Sequence, residues 1–180
     1  GTMKVLGDKV SLTETSVLNA SGDAAGGIIL VGGNYQGSGS EQRATETSVA
    51  AGASLQADAV TSGNGGTVVV WADKTTTFGG TISAKGGSQN GDGGKVETSG
   101  KQKLTVADTA KVDTTAAKGN TGNWLLDPED FTIGTGATGT NYWNNEELGP
   151  ALSSSNITVQ TNNASGAGNG DINITAPLTW

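Results

Sequence analysis

The sequence has no cysteine and no histidine, and only three of its 180 residues are proline. Without cysteine, the chain has neither a disulfide scaffold nor a thiolate metal site. Without histidine, it lacks the side chain that most often acts as a general acid or base near neutral pH. These absences favour a non-catalytic protein, and we expect no metal and no cofactor.

Positive charge is also scarce, since the net charge is −7 and Arg43 is the single arginine. Proteins that bind DNA, RNA or anionic lipid need clustered cations to displace counterions, so this balance argues against all three as partners. No run approaches the roughly 18 apolar residues of a membrane-spanning helix. We therefore expect no membrane insertion.

Bulky side chains are few, because aromatic residues make up 4% and hydrophobic residues 33% of the chain. Short β-branched runs nevertheless recur, among them ILV (29–31), TVVVW (67–71) and KVETS (95–99). With only 15% charged residues, this is not the composition of a disordered chain. The 30 glycines between such runs predict many short strands joined by Gly-rich turns.

A repeated pattern organises these runs. A small-residue turn followed by a short strand occurs in ASGDAAGGIILVGG (20–33), TSGNGGTVVVWAD (61–73), SQNGDGGKVETSG (88–100) and ASGAGNGDINITAP (164–177). A second set of strands alternates with it, marked by Val17, Leu55, Ile82 and Val112 at intervals of 38, 27 and 30 residues. Repeated strands at a loose period predict an all-β fold, a parallel β-helix, whereas a β-sandwich needs two-residue hairpins between neighbouring strands.

The interior of such a fold is narrow, and small aliphatic side chains stack there on their equivalents about 4.8 Å away. We place Val69 in this stack. Val69→Asp buries a lone carboxylate and is expected to unfold the chain.

The stretch GNWLLDPEDFTIG (122–134) differs from its surroundings in bulk and charge. It carries three carboxylates, Asp127, Glu129 and Asp130. One interpretation is an acid/base set of the kind used by polysaccharide-cleaving β-helix enzymes. The other is a structural endpiece in which Asp127-Pro128 ends a strand that resumes at Phe131. The absence of histidine and the Pro-bounded turn favour the endpiece.

Four segments follow one another in the order GGTVVVWAD (65–73), GTISAKGGSQNGDGGKVETSG (80–100), GNWLLDPEDFTIG (122–134) and ALSSSNITVQTNNASGAGNGDINITAPLTW (151–180). In this order they resemble the filamentous-haemagglutinin-like exoproteins and high-molecular-weight adhesins that Gram-negative bacteria export by two-partner secretion. The resemblance covers roughly residues 15 to 180, and WLLDP before an acidic residue and a β-run is its most specific element.

The resemblance implies a right-handed parallel β-helix, passage through an outer-membrane transporter partner, and display at the bacterial cell surface as an adhesive fibre. It implies a host-cell or biofilm glycan or protein as the ligand. The family's amino-terminal secretion domain is not in this sequence, so we expect an internal piece of the fibre. A pure spacer that presents a distal module is the remaining alternative.

The expected organisation has four parts. They are a cloning remnant and leading strand (1–14), β-helix repeats ending in the endpiece (15–134), a connecting segment (135–152), and resumed β-helix strands (153–180). Within the connecting segment, NNEELGPAL predicts one short helix near 144–149, with Asn144 or Asn145 as its cap and Gly149-Pro150 as its end.

Two aromatic residues just before this helix, Tyr142 and Trp143, are the candidate ligand-binding surface, because such rings stack on sugars. Packing is the alternative for both. Trp71, at the end of a strand, is expected to close a turn of the repeat.

Two further patterns concern the turns. GGSQNGDGG (86–94) is similar to a calcium-binding Gly-rich turn, but Gln89 and Gly91 break the register, so Asp23 and Asp92 are predicted to serve their own turns. Candidate N-glycosylation sequons begin at Asn19, Asn156, Asn163 and Asn173. Their number is about that expected by chance and does not indicate modification.

Overall fold

The computed structural model describes residues 1–163 and 168–180. Its strands are β1 (Thr2–Val5), β2 (Lys9–Leu12), β3 (Val17–Asn19), β4 (Ile28–Val31), β5 (Glu46–Val49), β6 (Ser54–Gln56), β7 (Thr67–Ala72), β8 (Thr75–Phe78), β9 (Thr81–Ser83), β10 (Lys95–Gly100), β11 (Lys103–Val106), β12 (Lys111–Asp113), β13 (Asn123–Leu126), β14 (Phe131–Gly134), β15 (Tyr142–Asn144), β16 (Asn156–Val159) and β17 (Ile172–Ile174). A 3₁₀ turn spans Tyr35–Gly37, and one α-helix, α1, spans Asn145–Leu152.

The strands form stacked parallel sheets that the chain visits in rotation. The first sheet has the order β1-β4-β7-β10-β13-β16, the second β11-β8-β5-β2, and the third β12-β9-β6-β3. Each strand therefore pairs with its equivalent from the preceding or following pass, in parallel. This confirms the predicted parallel β architecture and is consistent with a solenoid. A smaller sheet, β15-β14-β17, lies beside them.

One hydrophobic core joins the three large sheets. Its side chains stack in columns because successive strands are in register. The columns include Ile29, Val68, Val96 and Trp124 in the first sheet, Val49, Phe78 and Val106 in the second, and Leu18, Leu55, Ile82 and Val112 in the third. At the far end, Trp124 packs edge-on against Phe78 and Trp143.

Two residues that the sequence analysis singled out differ from the pattern: Val17, a marker of the strand repeat, and Val69, assigned to the interior. Leu18, not Val17, is the register partner of Leu55, and Val17 is exposed. A shift of one residue along a strand moves a side chain to the opposite face. Val69 is fully buried, but it packs with Leu30 and Trp71 in a small cluster separate from the main core. Its predicted place in the interior stack is therefore wrong, since it lies on the outer face of the first sheet.

The sheets begin before residue 15. β1 pairs with β4 and β2 pairs with β5, so the leading residues already contribute strands to the first and second sheets.

Close stacking at the turns requires glycine. A Cβ atom built on Gly93 lies 1.7 Å from the Thr114 carbonyl oxygen, and Gly91 has a φ of +112° that side chains rarely adopt.

Residues 135–155, here called the cap segment, cover the ends of the second and third sheets. The Asn141 N–H donates to the Leu104 carbonyl, and its Oδ1 accepts from the Leu104 N–H, both at 2.7 Å. Ser154 Oγ donates to the Val112 carbonyl at 2.8 Å. Backbone groups of Leu104 in β11 and Val112 in β12 are thus paired with the cap segment instead of facing solvent.

The helix within the cap segment agrees with the prediction at its start and differs at its end. Asn144 is the N-cap, and its side chain accepts from the Glu146 N–H at 2.7 Å. The predicted stop at Gly149-Pro150 is wrong, because α1 continues to Leu152. Leu148 is buried, and the two residues after Pro150, Ala151 and Leu152, pack against the core, which stabilises the last turn.

Candidate functional site

The outer face of the first sheet carries the most unusual chemistry. Leu30, Val69, Glu97 and Leu125 are register partners on successive strands, so they form one column on this face. Trp71, Ser99 and Asp127 lie two residues further along their strands and face the same way. A hydrogen bond of 3.1 Å from the Asp127 N–H to Ser99 Oγ joins the last two.

A loop between β4 and β5, residues 32–43 and here called the strap, folds over this face. Gly33 and Gly37 lie against the indole of Trp71, where an added Cβ comes within 2.7 and 2.5 Å of ring atoms. Arg43 anchors the strap, because its Nε contacts the Asp73 carboxylate at 3.0 Å and its guanidinium donates to the Gly37 carbonyl at 3.1 Å. The strap thereby removes part of the sheet face from solvent.

Glu97 lies beneath the strap with no solvent exposure. Its Oε2 accepts from the backbone N–H of Gln36 at 2.8 Å, and Gln36 has a positive φ of +52°. No described donor reaches Oε1 in hydrogen-bonding geometry. The pKa of Glu97 is raised to about 7, mainly by burial and in smaller part by repulsion from Asp127, against the opposing effects of the Gln36 N–H and Ser99.

Asp127, also buried, directly follows β13 and lies beside Ser99, two residues along β10 from Glu97. Its carboxylate accepts from three side-chain amides, those of Gln160 at 3.0 Å, Asn162 at 3.1 Å and Gln36 at 3.4 Å. Burial raises the pKa of Asp127, and the same three amides oppose that shift. Two adjacent acids are thus held in surroundings that disfavour their charge.

A cavity of about 270 Å³ opens beside these residues. We call it the carboxylate pocket. Its walls include Gln36, Trp71, Asp127, Gln160 and Lys101. Tyr35 lies at the strap surface, and the pKa of its hydroxyl is raised first by burial and then by the charges of Glu97 and Asp127.

A second and larger cavity, of about 660 Å³, lies between the third sheet and α1. We call it the helix groove. Trp143 contributes to its wall, together with Lys85, Lys111, Asp113 and Glu147. A cavity of this size with apolar walls and a few charged side chains is suited to a small ligand or a short polymer.

The predicted aromatic surface, Tyr142 and Trp143, is largely buried by packing. Trp143 is 3% exposed and its ring centroid lies 5.4 Å from that of Trp124, so its ring serves mainly as core and is not free to stack on a sugar. Tyr142 is half-buried, and its hydroxyl accepts from the Gly136 N–H at 2.8 Å. Trp71 is likewise buried, beneath the strap. The packing interpretation therefore applies to both tryptophans.

The three carboxylates of the endpiece do not form one site. Asp127 belongs to the carboxylate pocket, and Glu129 is buried separately. Asp130 accepts from the backbone N–H groups of Asn169, Gly170 and Asp171, which hold its pKa below the usual range. Asp130 thus bonds the backbone of a segment distant in sequence, and Asp127 bonds side chains of distant segments.

The sequon asparagines Asn19, Asn156, Asn163 and Asn173 are all exposed. Asn19 Oδ1 accepts from the Ser21 N–H, and Asn156 Nδ2 donates to the Thr121 carbonyl. The serine of the sequon that begins at Asn163 falls outside the described residues.

Sequence reasoning missed Glu97, Gln36 and Gln160. Alternation along β10 places Glu97 on the outer face, which indicates a solvated side chain unless another segment covers it. One feature of the sequence indicated a loop that covers this face. The first interval of the repeat is the longest: Ser11 and Ser48, which pair in the second sheet, are 37 residues apart because the strap lies between them. Later intervals are shorter, for example 28 between Ser99 and Asp127.

Within the described ranges, no helix has the length and apolar character needed to cross a membrane. Comparison with known proteins gave no match, either to a family model or to a curated protein.

Proposed function

We propose that this chain is a non-catalytic segment of a secreted bacterial surface adhesin, built as a right-handed parallel β-helix. It contributes rigid length to a fibre and binds a host-cell or biofilm glycan or protein. An outer-membrane transporter is its partner during export, and the extracellular surface is its location. The filamentous-haemagglutinin-like pattern of four segments, with WLLDP as its most specific element, is the source of this assignment.

The observation that supports it most is the stacking itself. Three sheets share one core, and equivalent strands of successive passes are parallel and in register. Such an array transmits load along its axis through backbone hydrogen bonds and lengthens by adding passes, which suits a fibre. Its small inner side chains explain the scarcity of Leu and Phe.

The helix groove is the proposed ligand site. It lies beside α1, next to the residues that the sequence singled out, and Lys111 and Glu147 place opposite charges on its walls. Hydroxyl-rich polymers are bound by charged and amide groups of this kind over apolar walls. Of the two aromatic residues, Trp143 contributes to the wall of this groove.

Binding to a broad glycan array and to matrix proteins tests the proposal. Lys111→Ala removes a charge from the groove, and Lys118→Ala removes one from an exposed turn outside it. We expect a specific signal that falls at least about tenfold in Lys111→Ala and persists in Lys118→Ala. If the parent protein binds to neither array, the result favours the spacer, a segment that only adds length to the fibre.

A polysaccharide-degrading enzyme is the second candidate, and the paired acids Glu97 and Asp127 are the observation that favours it. A buried acid that stays protonated near pH 7 suits a general acid, and a second carboxylate nearby suits a nucleophile or base. Release of reducing sugars from a polysaccharide panel tests this, with Glu97→Gln as the inactive control. No release by the parent protein at high concentration excludes that activity for the substrates tested.

A further inference from the structure

The middle of the strap is tied to the sheet through the two buried acids. Among the described residues, the hydrogen bonds that join residues 33–40 to the sheet face come from Gln36. Its backbone N–H donates to Glu97 Oε2 at 2.8 Å, and its side-chain Nε2 donates to Asp127 Oδ2 at 3.4 Å. The ion pairs of the strap, made by Glu41 and Arg43, lie near its carboxyl-terminal end. The attachment of its middle therefore depends on Glu97 and Asp127.

The backbone of the strap is strained at the point of attachment. Gln36 has a φ of +52°, in the left-handed region that a residue with a side chain adopts at a cost. Gly32 and Gly39, on either side of it, have φ values of +75° and +77°, which glycine adopts without strain. The strap thus has a strained centre, held by two hydrogen bonds, between two positions at which the backbone turns easily.

The acid that accepts the shorter of these bonds is in a poor place for a charge. Glu97 is fully buried, and its Oε1 has no hydrogen-bond partner among the described residues. A buried carboxylate with an unbonded oxygen loses its hydration without full compensation, and the loss is larger for the ionised form. The charge of Asp127 adds repulsion. The closed strap therefore favours the protonated form of Glu97.

Two titratable groups from other segments interact electrostatically with Glu97. Asp127, which follows β13, raises the pKa of Glu97, and Glu97 in turn raises the pKa of Tyr35 in the strap. The other charged side chains around the strap are paired or at least partly exposed: Lys4 with Glu41, Arg43 with Asp73, and Lys95 and Lys101. Negative charge on Glu97 is thus opposed by its nearest ionisable neighbour.

We propose that the strap is a pH-sensitive cover of the first sheet, closed while Glu97 is protonated and opening when Glu97 becomes charged beside Asp127. The pKa of Glu97 is about 7 beneath the closed strap against an ordinary 4.5, which it regains when opening admits water. The closed state therefore keeps its full stability below about pH 4.5 and loses it progressively as the pH rises to about 7. Opening uncovers the apolar cluster of Leu30, Val69 and Trp71.

A single cysteine beneath the strap reports this opening, because the chain has no other. Val69 is fully buried between Leu30 and Glu97 in the covered column. We expect Val69→Cys to react with 4,4′-dithiodipyridine under native conditions. Its rate, divided by that of the same variant unfolded in urea at the same pH, is expected to rise at least about tenfold from pH 5 to pH 8.

Two matched variants decide the cause of this rise. Val69→Cys/Glu97→Gln lacks the titrating group and is expected to show no rise between pH 5 and pH 8. Val68→Cys places the thiol in the main core, on the opposite face of β7, and is expected to react at least about tenfold more slowly than Val69→Cys at both pH values. A rise that persists with Glu97→Gln overturns the proposal. So do equal rates for the two cysteine positions, because the strap then opens only when the whole chain unfolds.

Hydrogen exchange of the parent protein tests the same opening without a substitution. The backbone amides of residues 34–38 are expected to show lower protection factors than those of β8. Their protection is expected to fall at least about tenfold from pH 5 to pH 8 and to be insensitive to low concentrations of urea, since a local opening exposes little surface. Protection in the strap that equals that of β8 and falls with urea in the same way overturns the proposal.

Discussion

At the scale of single residues, Glu97 shows how position along a strand decides chemistry. Its neighbours in the column are Val69 and Leu125, both apolar, and the strap lies above it. A glutamate on an uncovered sheet face keeps its ordinary pKa, since water solvates the charge. Here the cover removes water and supplies one backbone N–H in exchange, so the neutral form is favoured.

Glu97 is expected to make the protein less stable at alkaline pH. Its pKa is about 7 in the folded state against an ordinary 4.5, so between these values the folded state holds a proton that the unfolded state has lost. Stability therefore falls as pH rises from about 4.5 to 7, by on the order of 3 kcal/mol. Glu97→Gln removes this fall and is expected to be more stable than the parent at pH 8.

Urea unfolding of both proteins at pH 5 and pH 8 measures this effect. The exposed Glu14→Gln is the control and is expected to follow the parent at both values. A parent protein that gains stability from pH 5 to pH 8 relative to Glu97→Gln contradicts the assignment.

Position 93 requires glycine because a larger side chain does not fit there. A Cβ there lies 1.7 Å from the Thr114 carbonyl oxygen, so one of the two chain passes must move. We expect Gly93→Ala to lower the free energy of unfolding by about 1–3 kcal/mol. Gly139→Ala, whose Cβ meets nothing within 4 Å, is expected to change it by less than about 0.5 kcal/mol. Equal chemical-denaturation curves for the two variants contradict the close stacking at this turn.

The two faces of β7 could not be distinguished from the sequence. Val68 and Val70 line the main core, whereas Val69, which the sequence analysis placed there, is just as buried on the opposite face. Three consecutive valines give no alternation to read. The error at Val69, and the missed role of Glu97, both arise because a loop distant in sequence covers this face.

At the scale of elements, the cap segment determines how the second and third sheets end. Asn141 has a positive φ of +52°, which Asn tolerates better than most residues. This conformation lets its backbone and side chain pair with β11 together: the N–H and Oδ1 contact Leu104, and Nδ2 donates to the Gln102 carbonyl at 3.1 Å. One residue thus substitutes for a short piece of a further strand.

Asn141→Ala is expected to expose this end of the second sheet. It removes two side-chain hydrogen bonds and adds backbone strain, so we expect a loss of about 1–3 kcal/mol and faster amide exchange at Leu104. Hydrogen exchange of the 103–106 peptide measures it directly. Thr140→Ala, which removes only an exposed contact to Thr105, is the control that keeps the protection. Unchanged exchange in Asn141→Ala contradicts the capping role.

Element types were more predictable than element ends. The β13 strand stops at Leu126 and β14 begins at Phe131, as the Asp127-Pro128 pair indicated, because Pro cannot donate to a ladder. The start of α1 was also predictable from neighbouring residues, since the Asn144 side chain caps it. The end of α1 was not predictable from neighbouring residues, because packing of Ala151 and Leu152 on the core outweighs the Gly149-Pro150 stop signal.

At the scale of the whole molecule, the two ends of the array differ. At one end the cap segment covers β11 and β12, and the first sheet continues into β16. At the other end, β1, β2 and β3 each have one strand neighbour in the described residues, and Met3 is 36% exposed there. Open strand edges bind further strands unless charge or cover prevents it. Lys4 and Lys9 pair with Glu41 and Glu46 on neighbouring segments and flank this edge with charge.

In a solution of this 180-residue chain, the edge formed by β1, β2 and β3 is therefore expected to mediate weak self-association. Met3 lies in register with Ile29 of the inner column, so a second copy that stacks on this end covers an apolar column as well as a strand edge. Sedimentation of the parent is expected to show a rising average mass towards about 1 mM protein. Met3→Lys places a charge over the column and is expected to keep the protein monomeric, while Val60→Lys, on an exposed turn at the side, leaves the association intact. If Val60→Lys alone abolishes the association, the contact is lateral and the open end is protected by its flanking lysine–glutamate pairs.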